Sequence, residues 1–189
     1  MGRPKAFLKL GSRTFAEHIA SAIRAAAIRT SMIAVSQLDD KILQLCKLHA
    51  LSPVINAATL TAVPLGSVQA AIKEVINRSV DGLLVWPVDY PHVRSDTAIT
   101  LISAFLRSHR SIAIPVFERQ RGHPVIFGCD VFDELLAAPP GEGARAVVRA
   151  DRSRVMEVQV DDPAIIEDID TPEDYKDLLR RQGLGTLPI

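Results

Sequence analysis

The chain has 189 residues, 48% of them hydrophobic and 23% charged, and its 22 basic and 22 acidic side chains cancel. This balance suits one globular domain with its own core and gives no reason to expect a nucleic-acid surface or a polybasic membrane anchor. Only Cys46 and Cys129 are present and they form no CxxC pair, which argues against a disulfide framework or a thiolate zinc site.

The opening MGRPKAFLKLG lacks the apolar core of a signal peptide, and no run reaches the ~18 apolar residues of a membrane span. Cytoplasm is the expected location. Thr14 with Glu17 reads as a capping box, and Phe15, Ile19, Ile23 and Ala26 then follow helical spacing over 15–27. Met32–Val35 is a short strand. Asp39 or Asp40 opens a helix to about Leu48, and Pro53–Ile55 is a second strand. Gly66-Ser67 precedes a helix through Ile76. Leu83–Val88 is a continuous apolar run, expected as a strand buried on both faces of a parallel sheet.

Ser95 is expected to cap a helix to about Arg107. Ile112–Val116 and Pro124–Phe127 are strands around the polar loop ERQRGH. Asp130–Ala137 and Ala144–Ala150 are helical, separated by PPGEG. Arg154–Val160 alternates in period two. Thr171, Pro172 and Asp174 open the last helix as N-cap, N1 and N3, and Gly183 ends it. The domain is expected over 1–180, with a frayed tail over 181–189. Helices alternating with strands argue for a mostly parallel sheet covered on both faces.

Ligands of open α/β sheets gather at the carboxyl ends of strands. Asp89 follows LLVWPV, and it reads either as a carboxylate ligand for a hard cation such as Mg2+ or as a turn residue. Asp168 and Asp170 flank Ile169, so an extended backbone points them to one side, where two like charges call for a cation or a base. Gly122 permits close backbone approach, and His123 follows it. His18, His49, His92 and His109 show no ligand spacing and read as structural or surface residues. Arg3 and Lys5 read either as a solvated terminus or as phosphate ligands.

Five segments in order, GRPKAFLKLGSRTFAEHI, Gly66-Ser67 before a helix, VDYPHV, GHPVIFG and EDIDTPEDY, resemble the molybdenum-cofactor cytidylyl- and guanylyltransferase-like (MobA-like) nucleotidyltransferases. The likeness runs from Gly2 to about Leu179. It implies a Rossmann-like three-layer α/β/α fold with a mostly parallel sheet. It also implies transfer of a nucleoside monophosphate from CTP or GTP to a phosphorylated acceptor such as molybdopterin, with release of pyrophosphate. By the same resemblance Lys5 and Arg3 contact the triphosphate, and Ser67 lies at a helix start near the nucleotide. Asp89 binds Mg2+ with Asp168 or Asp170 as the second carboxylate, and Gly122 and His123 form the turn beside the acceptor. Lys5 and Asp89 are the expected catalytic pair, one offsetting charge on pyrophosphate and the other holding the cation. The family implies a molybdoenzyme or chaperone as a further partner, but no nucleic acid and no membrane.

The family pattern LAAGxSxRM before the G-x-P-K segment is absent from this sequence. The expectation is therefore a truncated start, a gap in the middle of the sheet and a Lys5 on a free end. Tyr90 and His92 stand where the family has smaller or polar residues. Two other readings remain open: a nucleotidyltransferase for a sugar or metabolite phosphate, and a catalytically silent nucleotide- or partner-binding homologue.

Overall fold

The structure, a computed structural model, describes residues 4–56, 64–139 and 141–184. A single helical turn, Lys5–Phe7, leads into a small antiparallel ladder of β1 (Lys9–Leu10) and β2 (Arg13–Thr14). Helix α1 (Phe15–Ala25) follows, and Thr14 and Glu17 form the expected reciprocal capping box. Strand β3 (Met32–Val35) leads to α2 (Asp40–His49), whose N-cap Asp39 accepts the Ile42 N–H at 2.8 Å. β4 (Ser52–Ile55) then pairs parallel with β3.

Helix α3 spans Pro64–Val75, so Gly66 and Ser67 lie inside its first turn rather than before it. Proline suits a first helical position, because the N–H it lacks has no intrahelical acceptor there. β5 is shorter than the apolar run implied, Gly82–Val85. Pro87 offers no N–H to extend the ladder, and the chain turns with the Tyr90 N–H bonded to the Pro87 carbonyl at 3.2 Å. β5 is half-buried rather than fully covered, and its described partner runs antiparallel to it.

Helix α4 (Ser95–Arg107) corrects a second expectation, because Ser95 is not its cap. Asp162 closes that end from far along the chain. Its buried carboxylate accepts the Arg94 N–H at 2.9 Å and the Thr97 hydroxyl at 2.6 Å.

Next come β6 (Ile112–Phe117), β7 (Gln120–Arg121) and β8 (Val125–Gly128). Two short helices, α5 (Phe132–Ala137) and α6 (Arg145–Ala150), precede β9 (Val155–Gln159) and α7 (Pro172–Arg181). The second capping box, Thr171 with Asp174, is present as expected. Gly183 has φ +67°, the left-handed conformation that ends helices. Leu184 is not frayed: its N–H bonds to the Leu179 carbonyl at 2.9 Å and its side chain packs beside the cluster of Leu8 and Leu10.

The main sheet runs β5-β8-β6-β7, with β9 on the other side of β6. β9 is parallel to β6, and β8 is antiparallel to both β5 and β6. The strands β5, β6 and β9 therefore point one way. Among the described residues, the β3–β4 ladder shares no strand with the main sheet.

Strand alternation builds the layers. Ile112, Ile114, Val125 and Phe127 face one cluster with Leu65, Ile72 and Leu135 from α3 and α5. Their sequence neighbours Ala113 and Ile126 face another, with Leu101 of α4. Helices thus cover both faces of the sheet. A third cluster ties the two ends of the chain together, with Leu8, Leu10 and Phe15 packed on Ile169, Tyr175 and Leu178. The rings of Phe15 and Tyr175 meet edge-on at 5.8 Å, and the Tyr175 hydroxyl donates to the Lys9 carbonyl at 2.6 Å. No helix among the described residues is long and apolar enough to cross a membrane.

Candidate active site

Asp89 stands on the turn that leaves β5. Its backbone carbonyl accepts the Ile169 N–H at 2.9 Å, which stitches this turn to the EDID segment. Ile169 is fully buried in the cluster that joins the chain ends, while Asp168 and Asp170 on either side are exposed. This is the arrangement an alternating extended segment produces.

The same cluster holds the N-terminal turn in place and brings Lys5 to both acids. The Lys5 ammonium hydrogen-bonds Asp170 Oδ1 and lies 3.8 Å from Asp89 Oδ2. One cation therefore serves two carboxylates. The Asp89 side chain is 25% exposed and its Oδ1 is buried with no partner. Burial pushes its carboxyl above the ordinary carboxylate range; Lys5 opposes that rise, and the negative charges of Asp170 and Asp168 add to it.

Asp168 differs from Asp170 in that its charge is also felt at His123. Both acids act on Tyr90 and on Asp89. Among the described residues no three acid, histidine or cysteine side chains converge as a ready-made metal cluster. The trio Asp89, Asp168 and Asp170 is therefore a looser set than a closed three-ligand site.

Gly122 has a different task from the one its sequence context suggests. A β-carbon there would lie far inside contact distance of the Ile165 carbonyl oxygen. The close approach that glycine permits is thus made by this chain's own backbone. The neighbouring His123 N–H donates to the same Ile165 carbonyl at 2.9 Å, and the His123–Pro124 peptide is cis. The His123 ring packs on Tyr90 with centroids 4.9 Å apart. Its Nδ1 is buried without a partner. Burial, and secondarily the Arg145 charge, hold its pKa below the ordinary histidine value, so it carries no charge at neutral pH. The Tyr90 hydroxyl is pushed up to about 12, first by burial and then by Asp168, and keeps its proton. Trp86 supports this corner by donating its indole N–H to the Tyr90 carbonyl at 3.0 Å.

Ser67 lies apart from this ion-pair network. Its hydroxyl oxygen accepts from the Asn56 amide at 3.2 Å on the first turn of α3. Arg3 lies outside the described residues. His92, read as structural, is buried; its Nε2 lies 3.3 Å from Glu167 Oε2, and Arg181 grips Glu167 at 2.8 and 2.7 Å. A cavity of about 510 Å3 opens beside this segment, lined by Glu167, Asp168, Ile169 and four residues of α7. It includes neither Asp89 nor Lys5, so the carboxylate centre is an open rim rather than an enclosed pocket.

The buried histidines make stability pH-dependent. Burial depresses the folded-state pKa of both His92 and His123 below 6.5. The unfolded chain then binds protons first as pH falls, so stability drops once pH passes below about 6.5 and continues to drop until the folded-state values are reached. Urea unfolding at pH 7.5 and at about pH 5.5 measures this. The double variant His92→Gln with His123→Gln is expected to flatten the difference.

Two features of the site were not among the expectations drawn from local patterns. Asp162 could have been noticed, since an Asp before Pro163 is a common cap. The packing of Tyr90 on His123 had no local signal.

Residues 1–155 match the family described as MobA-like NTP transferase domain. No curated protein matches the sequence. Among solved structures, a Mycobacterium tuberculosis protein crystallised with manganese is 23% identical, with 95% of this chain and 93% of that one covered and a TM-score of 0.79. Molybdopterin-guanine dinucleotide biosynthesis protein A from Archaeoglobus fulgidus is 16% identical, covering 96% and 92%, with a TM-score of 0.69. The 4-diphosphocytidyl-2C-methyl-D-erythritol synthase of Anaerococcus prevotii is 13% identical, covering 96% and 91%, with a TM-score of 0.72. These likenesses show a shared nucleotidyltransferase fold, and the family match shows more: the chain belongs to the MobA-like NTP transferase domain family.

Proposed function

We propose that this protein moves a nucleoside monophosphate from CTP or GTP to a phosphorylated acceptor such as molybdopterin, releases pyrophosphate, and works in the cytoplasm with Mg2+. The observation that carries the reading is the meeting of Lys5, Asp89 and Asp170 at one rim of the sheet. Residues distant in sequence converge there, and a half-buried carboxylate keeps an oxygen without a partner.

That donor set fits a divalent cation. Mg2+ takes oxygen ligands and commonly needs only one or two carboxylates, because phosphate oxygens and water complete its shell. Asp89 and Asp170 would hold it, with Asp168 near enough to add to the negative field. When bound, the ion supplies neutralisation of phosphate charge.

The chain's own residues do the rest by positioning and charge. Lys5, held by the packed N-terminal turn, offsets negative charge on the leaving pyrophosphate, and Arg3 adds to that role. Ser67 orients the nucleotide from the first turn of α3. On the other side of Asp89, the neutral His123 and the protonated Tyr90 offer hydrogen-bonding groups and a ring surface to the acceptor. Gly122 fixes the path of that turn against Ile165. No side chain needs to form a covalent intermediate.

The test is pyrophosphate release by the full chain with CTP or GTP, Mg2+ or Mn2+, and a panel of phosphorylated acceptors that includes molybdopterin and sugar phosphates. Release that requires both nucleotide and acceptor supports the proposal. Absence of release with every combination overturns it.

A further inference from the structure

A second cavity, of about 250 Å3, lies between α1, the β1–β2 hairpin and the turn that follows Asp89. The cavity beside α7 has four carboxylates in its wall, Glu167, Asp168, Asp174 and Asp177. This one has none. Its polar side chains are Arg13, His18, Ser21, His92, Ser95 and Gln182. Arg13 is exposed and takes part in no ion pair among the described residues. In a chain with as many acids as bases, a hollow walled by a free guanidinium and no acid has a defined sign.

Local structure explains the hollow. His18, Ser21 and Ala22 have the i, i+3, i+4 spacing that places them on one stripe of α1. Ser21 and Ala22 are too short to fill the space beside that stripe. His18 is anchored, because its Nε2 donates to the Leu10 carbonyl at 2.8 Å. Leu10 is the register partner of Arg13 across the hairpin. On the opposite wall Pro91 and Val93 are buried, and the His92 Nε2 lies 3.3 Å from Glu167 Oε2. The walls are therefore fixed before any ligand arrives, and the one free charge stands at their edge.

We infer that this cavity is a second anion site, separate from the rim of Lys5, Asp89 and Asp170, and that it takes a small oxyanion: a phosphate or carboxylate head with few atoms attached. The Arg13 guanidinium can donate two parallel hydrogen bonds to such a head. The hydroxyls of Ser21 and Ser95 and the amide of Gln182 supply further donors. The volume is below the ~300 Å3 at which pockets for drug-sized ligands begin, so a nucleoside triphosphate does not fit. The walls continue into both halves of the rim: β1 follows the turn that carries Lys5, and Pro91 stands two residues after Asp89. An anion held here ties those two segments together from behind. Its binding is independent of the nucleotidyl-transfer reading and is measured on the resting protein.

The probes are inorganic phosphate and malonate, titrated separately into the full chain at pH 7.5. Sodium chloride holds the ionic strength constant, so general screening does not change. The readout is the imidazole NMR signal of His18, assigned with His18→Gln. At least one probe is expected to shift that signal saturably, while His109, outside the cavity, stays unmoved. A response to phosphate alone assigns a phosphate head, and a response to malonate alone a carboxylate. Arg13→Ala should weaken binding at least tenfold, and Arg13→Lys should recover part of it. Arg149→Ala, an exposed arginine on α6 outside the cavity, should bind as the wild type does. Ala22→Leu fills the hollow with a good helix former and leaves Arg13 in place, and it too should weaken binding at least tenfold. The inference is overturned if neither probe shifts His18 saturably or if Arg13→Ala binds normally. Normal binding by Ala22→Leu also overturns it, because the anion would then sit on the open surface and not in the cavity.

Discussion

Asp89→Asn is expected to lower kcat/KM for nucleotidyl transfer by about 10²–10³-fold, the usual scale for removing one group that stabilises developing charge. It should do so while making the metal-free protein more stable at neutral pH. The reason is the same burial in both cases. The folded-state pKa of the Asp89 carboxyl is raised, chiefly by desolvation. A group with a raised pKa contributes its stability below its unfolded value, 3.8, and loses it as pH rises through the folded-state value. At pH 7 the wild type therefore holds a carboxylate in a setting that disfavours the charge, and asparagine removes that cost. Each kcal/mol relieved raises Tm by about 2–4 °C for a chain of this length. Thermal unfolding without metal at pH 7 and near pH 3.5 checks the sign: the variant's advantage should be present at the first and absent at the second. An inactive variant that melted below wild type at pH 7 would show that Asp89 is a structural turn residue, and the functional reading of this acid would be lost.

Gly122→Ala is expected to damage both fold and site. The added methyl would overlap the Ile165 carbonyl, which is backbone and also accepts the His123 N–H. Backbone cannot swing aside as a flexible side chain can. The cost should be about 3 kcal/mol, the upper end of overpacking penalties. The displaced segment leads directly into Asp168 and Asp170, and a shift of about 1 Å there is enough to cost on the order of 10²-fold in rate. Gly141 supplies the comparison, because a β-carbon there meets nothing within 4 Å. Gly141→Ala should stay within about 0.5 kcal/mol of wild type. Urea unfolding of both variants, followed by pyrophosphate release under conditions where each is folded, separates the structural from the catalytic loss. Equal stabilities for the two alanine variants would contradict the packing described for Gly122.

Asp89 was legible because an acid at the carboxyl end of an apolar run has a recognisable place in α/β proteins. Gly122 was legible as a special position, but its partner was not. The sequence context suggests a ligand's approach, whereas the neighbour is Ile165, more than forty residues on. Asp168 and Asp170 were legible as a pair on one side of a strand-like segment. Their different partners, Lys5 ion-paired with Asp170 and the Asp168 charge felt at His123, depend on elements that no short window contains. Ser95 misled for a related reason. A serine at a helix start is a good local cap, but Asp162 reaches the same N-terminus from another part of the chain.

By itself the sequence determined the elements and their ends. Both capping boxes, the αL glycine after α7 and the strand alternation that puts Ile112 and Ala113 on opposite faces are local matters of backbone chemistry and side-chain period. Only the tertiary structure decided what those ends face. Packing of Leu8 and Phe15 against Ile169 and Leu178 brings Lys5 to Asp170 across 165 positions of chain, and the fold seats the Tyr90 ring on His123. Such meetings are selected by burial of apolar surface over the whole domain, a quantity that near neighbours in sequence do not carry.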